Sequence, residues 1–285
     1  MEILRPDDAP SFLRLAGPLL ERDEARNQLP LGIAGTLSEH PDAYDLVRFW
    51  VVVHQGAPVA AALRTEPYNL VLADPSSRPA LDALLEAIIG DDAALPGVVG
   101  NLPHIGTAAS ILSTAARRES EIALAQGVYE LTAVREVPRV SGTARAATPE
   151  DRELLIAWLT AFSYEALPQP DHDVARLGQT LDTRFSSEGA GFWLWEDEGR
   201  PVSLSGYSGP TPTGIRIGPV YTPPPHRRRG YATSLVAEQS RWLLERGHRS
   251  CFLFTDLSNS TSNSIYAAIG YRRVCESMEY RFRDA

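Results

Sequence analysis

Apolar positions recur at helical spacing between Gly230 and Glu245, where Ala232, Leu235, Val236, Trp242 and Leu243 share one face. Gly247 follows as the expected stop. Pro149 to Ala166 carries a second helical pattern, and Ser262 to Ile269 a short one closed by Gly270. Between them lie shorter apolar runs of strand type. Phe192–Trp195 and Val202–Tyr207 read as a hairpin about Gly199. Gly214–Tyr221 and Cys251–Thr255 read as single strands, and Tyr271–Phe282 as one or two. Strands alternating with helices in this order predict an α/β sandwich around a mixed sheet.

The pattern occurs twice. An offset of 143 residues aligns Pro6-Asp-Asp8 with Pro149-Glu-Asp151, each opening a helical pattern. The same offset places Phe49-Trp50, Gly56 and Pro58-Val59 on Phe192-Trp193, Gly199 and Pro201-Val202, and Gly127 on Gly270. Three matches at one offset and in order predict an internal duplication, and two copies make tandem domains rather than a solenoid. Pro138, Ser141 and Gly142 interrupt the periodicity. The expected domains are therefore 1–138 and 139–285.

Composition narrows the functional classes. The chain has 285 residues, is 44% apolar and carries a net charge of −9. Residues 1–144 hold eleven Arg against nineteen Asp and Glu, and residues 145–285 hold sixteen against seventeen. An acidic first half argues against general nucleic-acid binding, which needs cations to neutralise phosphates. Every basic residue counted is Arg, so Schiff-base lysine chemistry and a lysine phosphate loop are excluded. Cys251 and Cys275 are too few for a zinc site or a disulfide framework, and no metal is expected. No leader and no membrane span are read, so the expectation is a cytoplasmic protein.

The stretch Pro223-Pro-Pro-His-Arg-Arg-Arg-Gly-Tyr-Ala232 is the main chemical signal. It puts Arg227, Arg228 and Arg229 at the start of the 230–245 helix, the positive end of the macrodipole. Cations there make sense if a polyanion docks on the free N–H groups of the first turn, where a glycine permits close approach. A solvated arginine run is the plain alternative.

Arg227-x-x-Gly230-x-Ala232, following a strand and opening a helix, resembles the pyrophosphate signature of the GNAT superfamily of acyl-CoA N-acyltransferases. Asn259-x-x-Ser262-Asn263-x-x-Tyr266-x-x-x-Gly270-Tyr271 resembles that superfamily's second signature, at the right distance and in the right order. The resemblance covers about residues 145–285 and extends through the duplication to the first half. It implies two tandem GNAT-like domains, each a mixed, mostly antiparallel sheet flanked by helices, in a layout similar to that of mycothiol synthases.

The resemblance also implies roles. Backbone N–H groups of Arg228, Arg229, Gly230, Tyr231, Ala232 and Thr233 would cradle the pyrophosphate of acetyl-CoA, beside Arg227. Val220, Tyr221 and Thr222 would pair with the pantetheine arm like an added strand and polarise the thioester carbonyl. Asn259 and Asn263 would touch pantetheine, and Tyr266 would act as general acid to the thiolate. Asn259 fits a simple helix cap equally well. Tyr266 also fits a core tyrosine whose hydroxyl meets a backbone carbonyl.

A general base is less obvious, because the strand before the phosphate loop offers only Arg216. Glu165 and Asp256 are the candidates. The implied activity is N-acetyl transfer from acetyl-CoA to a primary amine of a small molecule; the alternative is an acyl-CoA binding or sensing module without turnover. In the first half the corresponding turn reads Asp74-Pro-Ser-Ser-Arg-Pro79, lacking the glycine and some N–H donors. By the offset, Tyr266 falls on Ala123 and Asn259 on Ala116. That half is expected to be a degenerate copy that binds no acetyl-CoA.

Overall fold

The computed structural model describes residues 1–92, 94–166 and 174–284. The chain divides into two compact units, Met1–Val128 with Val274–Ala285, and Tyr129–Arg273. The last strand therefore belongs with the first unit, whereas the sequence pattern grouped it with the second half.

The first unit runs β1 (Glu2–Leu4), α1 (Ala9–Leu20), α2 (Glu24–Glu39), β2 (Val47–His54), β3 (Ala57–Thr65), β4 (Leu70–Leu72), α3 (Arg78–Asp91), β5 (Gly97–Asn101), α4 (His104–Ala115) and most of β6 (Arg118–Leu131). The second unit takes the end of β6 and then β7 (Thr143–Ala146), α5 (Arg152–Ala166), α6 (Val174–Ser186), β8 (Gly191–Asp197), β9 (Arg200–Ser208), β10 (Gly214–Tyr221), α7 (Tyr231–Glu245), β11 (Ser250–Asp256) and α8 (Ser260–Ile269). The final strand, β12 (Arg272–Asp284), returns to the first unit and pairs antiparallel with β5 from Ser277↔Asn101 to Arg281↔Gly97.

Within the first unit the strand order is β1-β2-β3-β4-β5-β12, antiparallel except for the parallel β4/β5 pair. Successive side chains of a strand face opposite ways, and the core follows that rule. Trp50, Val52, Ala60 and Ala62 pack with α3 and α4, while Phe49, Val51, Ala61 and Leu63 pack with α1 and α2. Burial on both faces explains why β2 and β3 read as nearly continuous apolar runs.

The second unit repeats the plan, with the order β6-β11-β10-β9-β8-β7. Its pairs are antiparallel from β7 to β10, and β10 runs parallel to β11. Leu155, Leu159 and Leu181 of α5 and α6 cover one face, against Phe192, Leu194, Leu204 and Tyr221. Ile215, Ile217 and Cys251 meet Val236 and Leu243 of α7 on another cluster, joined by Tyr266 and Ile269 of α8. Both units are thus mixed, mostly antiparallel sheets flanked by helices.

The duplication is written in the backbone. The β2–β3 and β8–β9 hairpins turn at Gln55-Gly56 (φ 52 and 78) and Glu198-Gly199 (φ 51 and 72), a pair of left-handed residues that matches strand twist. A register shift lies between Val52 and Val53 in one and between Trp195 and Glu196 in the other. Phe49↔Leu63 and Phe192↔Gly206 are the same pair displaced by 143 residues.

Beyond the hairpins the offset drifts. Helix α3 starts at Arg78 and α7 at Tyr231; α4 starts at His104 and α8 at Ser260. Gly127 lies inside β6 while Gly270 caps α8, so that third match joins positions that are not equivalent. Ala123 and Ala116 are likewise not the counterparts of Tyr266 and Asn259. The counterpart of α8 is α4, whose sequence HIGTAASILSTA contains neither Tyr nor Asn. The absence of a matching tyrosine therefore stands on a different alignment.

Candidate active site

The site begins where β10 leaves its neighbour. The parallel register of β10 with β11 runs from Gly214↔Ser250 to Arg216↔Phe252, yet β10 continues to Tyr221. Its later residues pair with β9 alone, as Val220↔Ser205 and Tyr221↔Leu204, after a register shift between Ile217 and Val220. Such a shift bends a strand and releases it from the regular ladder. Val220 to Thr222 thus have no recorded ladder partner on the β11 side among the described residues. Thr222 Oγ1 is 2.8 Å from Ser203 Oγ, which anchors the strand end to β9.

The chain then passes through one short helical turn, Pro224–His226, into the arginine loop. Arg228 has φ 61 and Gly230 φ 85. The other described non-glycine residues with positive φ are Gln55 and Glu198 in the hairpin turns and Arg117 just past α4. Left-handed residues spaced this way turn backbone N–H groups toward a common concavity that suits an anion. Gly230 is the N-cap of α7, with no side chain capping the helix. No internal acceptor is recorded for the N–H groups of Arg228 to Thr233 among the described residues. Tyr231 anchors this end of α7 by donating its hydroxyl to Asp197 Oδ2 at 2.5 Å.

Helix α3 in the first unit is built differently at the equivalent place. Its N-cap Ser77 accepts from the Ala80 N–H at 3.3 Å, and Pro79 removes another donor from the first turn. The preceding Asp74 is ion-paired to Arg26 and accepts from Asn101 Nδ2 at 3.3 Å. The end of β4 is thereby tied to α2 and β5, and at α3 one first-turn donor is satisfied by Ser77 and another is removed by Pro79.

Asn259 caps α8 by accepting from the Ser262 N–H at 3.1 Å. The capping role foreseen for Asn259 is present. Asn263 donates Nδ2 to the carbonyls of Asp256 and Leu257 at 3.1 and 3.3 Å. Its Oδ1 is buried without a partner among the described residues. Asp256 itself accepts from the Ser258 N–H and hydroxyl at 2.8 and 2.7 Å, which fixes the turn into α8. Tyr266 is 8% exposed, and its ring meets Tyr271 edge-on at 5.9 Å. Burial pushes its phenol up to about 12. No hydrogen bond to its hydroxyl is recorded among the described residues, whereas the Tyr271 hydroxyl is held by Ser240 at 2.9 Å.

Glu165, at the end of α5, lies in a second group. Its Oε2 is 2.5 Å from Arg227 Nη2, and its Oε1 accepts from the Tyr221 hydroxyl at 3.3 Å. Arg227 also donates Nε to the Thr222 carbonyl at 2.8 Å, and its guanidinium lies 5.8 Å from the Tyr221 ring centroid. Trp158 stands 6.3 Å from the same ring. Burial, and then the neighbouring Glu165, raise the Tyr221 phenol above its usual range. The structure thus joins Glu165, Tyr221, Thr222 and Arg227, and separately Asp256, Asn259 and Asn263. No hydrogen bond or ion pair links the two groups among the described residues. Arg228 and Arg229 are exposed on the loop. Sequence reading missed Trp158 and Ser203. Trp158 was detectable, because it lies two turns before Glu165 and so shares its helix face.

Residues 152–271 match the model of the acetyltransferase (GNAT) family. Those 120 residues, less than half of the chain, carry the match to that family, and the fold of the chain as a whole is that of GNAT structures in tandem. A GCN5-related N-acetyltransferase from Sphaerobacter thermophilus aligns at 19% identity and a TM-score of 0.61, over 98% of this chain and 95% of that one. A tandem GNAT protein from the clavulanic acid biosynthesis pathway aligns at 13% identity and 0.56, over 99% and 98%. A Drosophila protein gives 13% identity and 0.69, over 99% and 98%. At such identities the likeness is one of fold. No curated protein matches the chain in sequence. No described helix is long and apolar enough to cross a membrane, and no cluster of metal-ligating side chains occurs among the described residues.

Proposed function

We propose that the second half of the chain transfers an acetyl group from acetyl-CoA to a primary amine of a small molecule, by direct transfer, and that the first half binds no acetyl-CoA. The uncapped start of α7 carries this reading. Its bare N–H groups, positive helix end and left-handed residues Arg228 and Gly230 suit a pyrophosphate. The residues around it fit the rest of the ligand. The free edge of Val220–Thr222 can pair with an amide-bearing arm, and the buried Asn263 Oδ1 lacks the donor such an arm would bring.

Bound acetyl-CoA supplies the activated acetyl group. Arg228 to Thr233 hold its phosphates, and an N–H of Val220 to Thr222 polarises the carbonyl. Glu165 receives the proton that the amine loses as the amide bond forms. Tyr266 donates its phenolic proton to the sulfur as the thioester bond breaks. A phenol held near 12 stays protonated at neutral pH and so remains able to donate. Asp256 is assigned to the turn that presents α8, because Ser258 already engages one of its oxygens.

Calorimetric titration with acetyl-CoA, followed by a thiol-release screen of small amines, tests the proposal. One site per chain, with turnover that Tyr266→Phe slows while affinity is kept, supports it. Two sites would restore the first half as a binding domain. Binding without turnover across the screen would favour a sensing module.

A further inference from the structure

The Arg227 guanidinium is gripped by a carboxylate, a carbonyl and an aromatic face, supplied by Glu165, Thr222 and Tyr221. These three groups form a receptor for an organic cation. Arg227 belongs to the arginine loop and immediately precedes the N–H groups assigned to the pyrophosphate. Its side chain is 42% exposed and that of Glu165 45%, so solvent screens the pair and holds it weakly. A polyanion on the adjoining amides would draw the guanidinium toward itself, because opposite charges at short range compete with a screened carboxylate.

We propose that Glu165, Tyr221 and the Thr222 carbonyl form the cation site for the acceptor, and that Arg227 occupies it until acetyl-CoA binds. The inference rests on the acetyltransferase reading of this half and adds the acceptor's chemistry. The acceptor's reacting amine, entering as the ammonium, takes the place of Arg227 and gives a proton to Glu165. Trp158 backs the Tyr221 ring and holds it in place for the cation. Because the carboxylate that receives the cation is the proposed base, an acceptor cannot occupy the site fully until the arginine has left.

The test uses n-propylguanidinium, which mimics the arginine head and keeps its charge at every working pH. Binding is measured by calorimetry to the full chain with and without saturating CoA, and to Arg227→Ala and Arg227→Ala/Glu165→Gln without CoA. Circular dichroism confirms folding of each variant. Affinity should rise about tenfold or more on adding CoA to the unsubstituted chain, and by as much in Arg227→Ala. The Glu165→Gln change should remove that gain. An Arg227→Ala variant that binds the probe no better than the unsubstituted chain would overturn the proposal. So would a gain that survives Glu165→Gln. Failure of CoA itself to bind would instead defeat the acetyltransferase reading, and the comparison of the two CoA-free variants would still decide the cation site.

Discussion

Gly230→Ala places the sharpest demand on the proposed phosphate loop. Gly230 has φ 85, and an added Cβ would lie 2.8 Å from Val140 Cγ1. Holding alanine in the left-handed region costs about 1–2 kcal/mol. Crowding a packed valine costs about 1–3 kcal/mol more. If the backbone holds, that sum appears as lost stability. If the loop rotates to relieve it, the N–H groups turn away and the loss appears as cofactor affinity. A loss of about 2 kcal/mol in binding corresponds to roughly a thirtyfold weaker Kd.

Urea unfolding monitored by tryptophan fluorescence and calorimetric titration with CoA measure the two terms separately. Adding Val140→Ala to the variant should recover the packing part and leave the backbone part. The reasoning fails if Gly230→Ala leaves both stability and affinity within about 0.5 kcal/mol of the unsubstituted chain, the range of an ordinary surface change.

Tyr266→Phe should lower kcat by about a hundredfold or more, as loss of a general acid does, with little change in acetyl-CoA affinity or stability. Little stability is lost because no hydrogen bond to its hydroxyl is recorded among the described residues; steady-state kinetics and thermal unfolding check both. Stability should fall as pH rises from about 9 to 12. Burial holds Cys251 at about 12 against an ordinary 9, and Tyr266 at about 12 against 10. In each case the unfolded chain releases the proton first, so the contribution is intact below the unfolded value and lost as pH rises through the folded one. Cys251→Ala should flatten that slope in unfolding titrations. Ser77→Ala should destabilise the first unit by about 1 kcal/mol through loss of the α3 cap, while the number of acetyl-CoA sites stays at one.

Local rules were enough to place much of this protein. Apolar periodicity located α5, α7, α8 and the β8–β9 hairpin, because a strand or helix face must be apolar wherever it meets a core. The α7 start was readable for the same kind of reason. A glycine, the preceding prolines and three arginines act within eight residues of chain, and no distant residue is needed to make the N–H groups available. Thr148 and Asp151 formed the capping box at the head of α5, so the pattern from Pro149 resolved into one short turn, Pro149–Asp151, and then the helix. The hairpin part of the repeat was also legible, since its turn residues and register are fixed by neighbours along the chain.

Other features depended on contacts that sequence distance conceals. The offset of 143 held where turns set the register and drifted where loop lengths differ, so Gly127 and Gly270 matched in sequence without matching in place. The last strand joined the first unit because β5 offered it an antiparallel edge, a partner remote in sequence. Most consequentially, Glu165 and Arg227 are 62 residues apart and form an ion pair. Sequence named one as a base and the other as a phosphate ligand. Their meeting at the end of β10 is set by the packing of α5 on the sheet, a long-range outcome of burying Leu155, Leu159 and Tyr221 together. Spacing could nominate the two charges, but only the tertiary fold could bring them together.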